Sequence, residues 1–311
     1  MPATLPTLQF GLRKVQHSSG DPIADRRAGY AEALAGEGAF AEAAEVLAQT
    51  LDVVSGWAAG WASLGRYREE AGDYSAATEA WRRSAELDRE GIYGAALKLV
   101  AHGLTTEAAG GAYVETLFDD YAGRFEKSLV GRLGYRTPAE LGALIAGTGR
   151  EPGGTAYDLG CGTGLMGVEL RPAVRRLEGV DLSEAMLAEA RRKGVYDRLT
   201  KADLLAFLAT AEPAGLVTAT DVLNYVGPLP PVLAAVQRVL LPGGLFGFSL
   251  ELYEGLEPTR LRSSLRYAHG GAAAIAACLA AGFEIAAKQE TVIRLDRGLP
   301  VAGLLLVVRR L

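Results

Sequence analysis

Two rhythms of apolar and polar positions divide the chain. From about Ala24 to Arg89 a helical pattern repeats itself: Gly38, Phe40, Ala43 and Leu47 are answered by Gly72, Tyr74, Ala77 and Trp81, each pair offset by 34 residues. A repeat of that length is one supersecondary unit that buries its apolar face only by stacking on the next copy. Glycine is expected to close the turn between two helices, the aromatic to wedge between them, and alanine to allow close approach. Residues 91–102 read as a third, incomplete helix that would cap the stack.

After Gly154 short apolar runs alternate with amphipathic segments, which predicts a parallel α/β sheet. Strands are expected at 155–159, 177–182, to about 201, at 216–223 and at 245–250. Helices are expected at 165–170, stopped by Pro172, after an N-cap at Ser183, at 204–210 and at 229–241. Pro242-Gly243-Gly244 reads as the turn into the fifth strand, and a helix ending at 281–283 precedes a run over 284–294 and an apolar run over 301–308.

Composition narrows the class. A chain of 311 residues with 49% hydrophobic residues is long enough for two units. The net charge of -5 offers no global positive field for a polyanion, so nucleic acid is not expected and a polar or neutral partner is. Two cysteines, Cys161 and Cys278, make no disulfide framework and point to a reducing cytoplasm. No secretory signal is read at the N-terminus, and the most apolar stretch, 271–283, is too short to span a bilayer. No His, Cys and Asp cluster has metal-ligand spacing, so no metal is expected.

The chemistry concentrates after Tyr157, where Asp158, Gly160, Cys161, Gly162 and Gly164 lie between a strand and a helix. Glycines there let a loop turn tightly and let backbone approach a ligand. Dinucleotide-binding loops need a third glycine at position 165, which is Leu165; here it stands at 164. This order resembles motif I of class I S-adenosylmethionine-dependent methyltransferases. The resemblance extends through the Leu-Leu-Pro-Gly-Gly sequence at 240–244 and the final two strands, which would form an antiparallel hairpin at the sheet edge. It implies a Rossmann-like, mostly parallel sheet and S-adenosylmethionine as methyl donor, with Asp158, Gly160, Cys161, Gly162 and Gly164 binding it. In such a site Asp181 would hold the ribose hydroxyls, with Leu182 and Met186 along the adenine. Asp203 and Leu204 would lie near its edge, and Asp221 at the end of the fourth strand. Asp181 could otherwise be a solvated strand-end acid, and Asp203 the N-cap of the next helix.

Residues 117–126 resemble a lid helix of small-acceptor methyltransferases, from which Tyr121 would reach the donor's carboxylate; an amphipathic linker helix is the alternative. Asn224, Tyr225 and His269 are candidate acceptor-pocket residues, His269 also the candidate general base or else a structural histidine. The front repeats resemble tetratricopeptide repeats, although Arg27 replaces an expected tryptophan and Arg89 an expected proline. Such repeats would offer a concave face to a peptide, a partner protein or a second copy, or simply pack on a neighbouring domain. The expected layout is a tail (1–23), repeats (24–106), a helical linker or lid (107–151) and a catalytic domain (152–311), resembling bacterial methyltransferases with tetratricopeptide repeats. The expected reaction is methyl transfer to an oxygen or nitrogen of a small molecule or peptide. A scaffold with a vestigial catalytic domain and a nicotinamide-dependent dehydrogenase are the alternatives.

Overall fold

The computed structural model describes residues 18–105, 110–124, 135–149, 154–255, 257–296 and 299–311. The chain divides into two compact units, one ending at Leu117 and the other beginning at Phe118. That division falls inside one helix, Gly111–Tyr121.

The front unit is all helical: α1 (Pro22–Gly36), α2 (Phe40–Leu51), α3 (Ala58–Glu70), α4 (Tyr74–Leu87) and α5 (Ala95–Ala101). Asp21 caps α1 by accepting from the Ile23 and Ala24 amides, and proline at the first helical position needs no such partner. Gly38 and Gly72 turn the chain between paired helices at φ 86° and 84°, a conformation that L side chains resist. Close approach has a visible cause at Gly65, where a Cβ would collide with the Trp81 indole. Leu47 and Trp81 are buried as their repeated positions predict, and Ala95 and Leu99 of α5 pack on Ala77 and Trp81. The aromatic wedge holds for half-buried Phe40 but not for Tyr74, which is 59% exposed. Arg27, standing where the pattern wants tryptophan, instead donates to Thr50 Oγ1 and Gln49 Oε1.

In the second unit a seven-stranded sheet runs in the order β3-β2-β1-β4-β5-β9-β8. Its strands are β1 (Thr155–Leu159), β2 (Arg176–Asp181), β3 (Arg198–Lys201), β4 (Ala214–Ala219), β5 (Leu240–Glu251), β8 (Phe283–Asp296) and β9 (Leu299–Arg310). The first five pair in parallel, while β9 is antiparallel to both β5 and β8. A separate ribbon joins β6 (Thr259–Leu261) to β7 (Tyr267–His269). Helices α6 (Gly111–Tyr121), α7 (Thr137–Ala146), α8 (Leu165–Leu170), α9 (Glu184–Lys193), α10 (Leu204–Thr210), α11 (Leu223–Val226), α12 (Leu229–Val239) and α13 (Gly271–Ala280) complete the order.

Helices cover both faces, as a parallel sheet requires. Leu141, Ile145, Met166 and Leu170 pack with Leu177, Leu216 and Leu305. A second cluster joins Leu208, Val232, Leu233, Val236 and Cys278 to Phe246, Phe248 and Leu306. The Pro242-Gly243-Gly244 segment is not a turn before the fifth strand but lies inside β5, with Gly243 at φ 72° beside a register shift between Ala214 and Leu216. Strand order reverses between β1 and β4, and at such a switch point the loops after the strands part to leave a crevice.

Candidate functional site

The loop after β1 lies at that crevice. Gly160, Gly162 and Gly164 all have positive φ, at 62°, 53° and 90°. A Cβ on Gly160 would collide with Val222, so the first glycine lets the loop close against the end of β4. At Gly162 a Cβ would meet nothing within 4 Å, which leaves backbone facing open space where a ligand could lie against it. Asp158, expected to touch a ligand, sits beneath this loop instead, only 1% exposed. Tyr196 Oη donates to its Oδ2 at 2.6 Å and Thr218 Oγ1 to its Oδ1 at 3.0 Å. Burial raises its pKa to about 6 against the pull of those two donors. Tyr196 is the loop's hidden support, since its ring lies where a Cβ on Gly164, Gly167 or Gly179 would have to go. Cys161 is buried beside them, and burial pushes its thiol well up, so it contributes shape rather than nucleophilicity.

Beside the loop, Asp181 ends β2 and is gripped at both oxygens. The Gly162 amide donates to Oδ2 and the Ser183 amide to Oδ1, each at 2.8 Å. Each oxygen keeps further acceptor capacity, an arrangement suited to two adjacent hydroxyls. Burial raises its pKa while those amides oppose the shift. Ser183 caps α9 through Met186 N, and Gly194 ends that helix at φ 65°. Leu182 is half-buried, whereas Met186 is only 1% exposed and lies within the core. From α6, Asp119 accepts from Ser183 Oγ at 2.5 Å and from the Ala185 amide at 3.2 Å, which docks the end of α6 at the positive end of α9. Tyr121 packs with Leu165, Tyr135 and Ile293. Asp203 is exposed and caps α10, with Oδ1 accepting from Leu205 N and Ala206 N; Leu204 behind it is buried.

Across the crevice, past the end of β4, a second group assembles. Asp221 holds φ 57°, unusual for a residue with a side chain, and its amide donates to Ser249 Oγ at 2.8 Å. Burial raises its carboxyl, and the Tyr135 hydroxyl bonds to it. Asn224 and Tyr225 lie on α11 rather than at a strand end, because β4 stops at Ala219. Phe118 meets Tyr225 edge to face with centroids 5.3 Å apart, and Arg266 Nε donates to Tyr225 Oη at 2.8 Å. His269 is the last residue of β7, directly before the N-cap Gly270 of α13, and is fully buried. Its Nε2 lies 2.9 Å from the Gly227 carbonyl, which only accepts, so that nitrogen carries the proton and Nδ1 is left without a partner. Burial holds its pKa below the usual imidazole value. An ionised Glu251 ends β5 nearby; burial alone would raise its pKa, but Arg294 and Arg266 hold it below its ordinary value.

Tyr196, Asp119, Ser249, Glu251 and Arg294 were not singled out from sequence. A charge embedded in an apolar strand, as Glu251 is after 245–250 and Arg294 after Ile293, was the available signal.

Comparison with known proteins agrees with this geometry. Residues 156–244 match the family described as a methyltransferase domain. The ubiquinone biosynthesis O-methyltransferase of Hahella chejuensis is 33% identical over 105 residues, which make up 32% of this chain and 43% of that protein. The malonyl acyl-carrier-protein O-methyltransferase of Enterobacter lignolyticus is 30% identical over 103 residues, 33% of this chain and 41% of the other. The chain thus spans less than half the length of these curated relatives. Among solved structures, the magnesium protoporphyrin IX methyltransferase from Synechocystis with bound S-adenosylhomocysteine superposes with a TM-score of 0.51 at 19% identity, covering 65% of this chain and 100% of that one. At that identity the likeness is one of fold.

Proposed function

We propose that this chain is an S-adenosylmethionine-dependent methyltransferase whose donor lies between the Gly160–Gly164 loop and Asp181 and whose acceptor enters at the ends of β4 and β5. The observation that carries it is the Asp181 carboxylate, which is locked by the Gly162 and Ser183 amides beside a loop whose middle glycine faces open space. When bound, the donor supplies an electrophilic methyl group on a sulfonium sulfur. Asp181 accepts from the ribose hydroxyls, and the loop backbone lies along the methionine portion. Asp158 and Tyr196 act one layer below by fixing the loop's shape.

Methyl transfer is an in-line displacement, so most of what the protein contributes is alignment of donor and acceptor. Phe118 and Tyr225 form an aromatic edge beside the strained Asp221, and Ser249 pins the Asp221 backbone. His269 acts here as a positioning residue, because its Nε2 proton is committed to Gly227. The two curated relatives described are named for oxygen acceptors, which favours an oxygen acceptor here. The paired helices of the front unit serve, in this proposal, as tetratricopeptide-like repeats that recruit the acceptor or a second copy.

Calorimetry provides the test. S-adenosylmethionine and S-adenosylhomocysteine should bind and NADH should not. Asp181→Ala should weaken that binding by about 1.5 to 3 kcal/mol for each charged hydrogen bond lost. Tight NADH binding with no uptake of either sulfur nucleoside would refute the proposal.

A further inference from the structure

The end of β5 gathers more positive charge than is needed to tie strands together. Glu251 is 1% exposed, and among the described residues three guanidinium groups face its carboxylate. Arg294 Nη2 is 2.7 Å from Oε1, Arg266 Nη1 is 3.7 Å from Oε1, and Arg262 Nη1 is 3.7 Å from Oε2. Asn224 Nδ2 donates to the same Oε1 at 3.2 Å. Three positive charges around Glu251 leave the group net positive even when Asp221 counts as a second ionised carboxylate. The buried members, Arg294 and Arg266 against Glu251 and Asp221, balance in charge, and the positive margin comes from Arg262, whose side chain is 37% exposed at the open side of the group.

The unsatisfied atoms are those of the best-buried arginine. Arg294 is 4% exposed, and both its Nε and its Nη1 lack a hydrogen-bond partner. Oδ1 of Asn224, itself 2% exposed, lacks one as well. Both side chains already touch Glu251 Oε1, so the unmet donors of Arg294 lie within one side chain's reach of that oxygen. A guanidinium with an edge to spare is the group best shaped to take two oxygens of an anion at once. Arg266 ties the cluster to the Tyr225 hydroxyl, and Tyr225 meets Phe118 beside the crevice. The anion would therefore sit on the acceptor side of the crevice.

We propose that Arg294, with Arg266 and Arg262, forms an oxyanion-binding subsite, and that the methyl acceptor is an organic acid held there by its carboxylate or phosphate group. Calling the anion the acceptor rests on the donor site proposed above, but anion binding itself does not. The net charge of -5 had favoured a polar or neutral acceptor. That total is dominated by the surface and is silent about a local positive site.

The 311-residue chain is titrated with benzoate, succinate, phenyl phosphate and inorganic phosphate, and with the neutral amides benzamide and succinamide. Each titration is run with and without saturating S-adenosylhomocysteine. At least one oxyanion should bind and raise the thermal midpoint while its neutral counterpart does not, and the carboxylate and phosphate arms identify which oxyanion it is. Arg266→Gln should weaken that binding by about tenfold or more, the loss expected for one charge-assisted hydrogen bond. Arg294→Lys should do the same; if it fails to fold, Arg266→Gln and Arg262→Gln carry the test. Affinity for S-adenosylhomocysteine should be unchanged in every folded variant. Equal binding of acids and amides, no binding by any oxyanion, or oxyanion affinity indifferent to Arg266→Gln and Arg262→Gln would overturn the subsite. Failure of S-adenosylhomocysteine to bind, with anion binding intact, would sink only the donor assignment.

Discussion

Asp158 shows how a single residue can be placed correctly in sequence and still have its role misjudged. Its position before the glycines suggested a ligand contact, yet both of its oxygens are held by Tyr196 and Thr218. The sequence has no means of marking Tyr196 as that partner, because 38 residues separate the two. Asp158 also makes a pH prediction. Burial pushes its pKa from the ordinary carboxyl value of 3.8 up to about 6, so the folded state holds its proton more tightly than the unfolded state does. Its contribution to stability is therefore present below about pH 4, falls as pH rises toward 6 and is flat above that. The loss is on the order of 3 kcal/mol at 1.36 kcal/mol per pH unit between the two pKa values. Asp158→Asn cannot titrate, so its urea midpoint should vary less than the wild type's between pH 4 and 7. Parallel curves for the two proteins would show that Asp158 ionises normally.

At the scale of elements, the strands and the glycine loop were legible because their signals are local. A short apolar run followed by alternate glycines specifies strand, tight loop and helix within about ten residues, and α8 begins at Leu165 as expected. The Ser183 cap of α9 was equally readable. Less legible were the end of β4, which gives way to α11, and the course of 242–244, which lies within β5 as the unpaired stretch between the Leu240–Ala214 and Leu245–Leu216 pairs. Those outcomes depend on neighbours distant in sequence. The arginines around Glu251 belong to the same class, since they arrive from β8 and from residues flanking the β6-β7 ribbon. The loop itself yields a paired prediction. Gly160→Ala should destabilise the fold, because a Cβ collides with Val222 at a left-handed φ that costs an L-residue about 1–2 kcal/mol. Gly162→Ala bears only the backbone cost, yet should lose S-adenosylhomocysteine affinity because its Cβ enters the open space beside Asp181. Thermal melts and calorimetry on both variants separate these effects; a Gly162→Ala protein that binds normally would place the ligand elsewhere.

For the molecule as a whole, the change of rhythm after Gly154 marks where the strands begin, whereas the division at Leu117 and Phe118 falls inside a helix and so carries no change of composition. Among the described residues no helix is long and apolar enough to cross a membrane. Every group assigned to the donor site lies after Phe118, so a chain starting at Gly110 should keep S-adenosylhomocysteine affinity within about threefold of the value for the 311-residue chain, under 1 kcal/mol. It should lose acceptor turnover or self-association, which light scattering and a methyl-transfer assay distinguish. A truncated protein that keeps its oligomeric state and full turnover would leave the front unit with neither role.

The central claim is that the pocket between the glycine loop and Asp181 holds S-adenosylmethionine, and a crystal structure with bound S-adenosylhomocysteine tests it most directly. The ribose hydroxyls should lie within about 2.5–3.2 Å of the Asp181 carboxylate, with the methionine portion against Gly162 and the sulfur facing Tyr225 across the crevice. Density for the ligand at any other place, or an Asp181 carboxylate that does not touch the ribose, would contradict it.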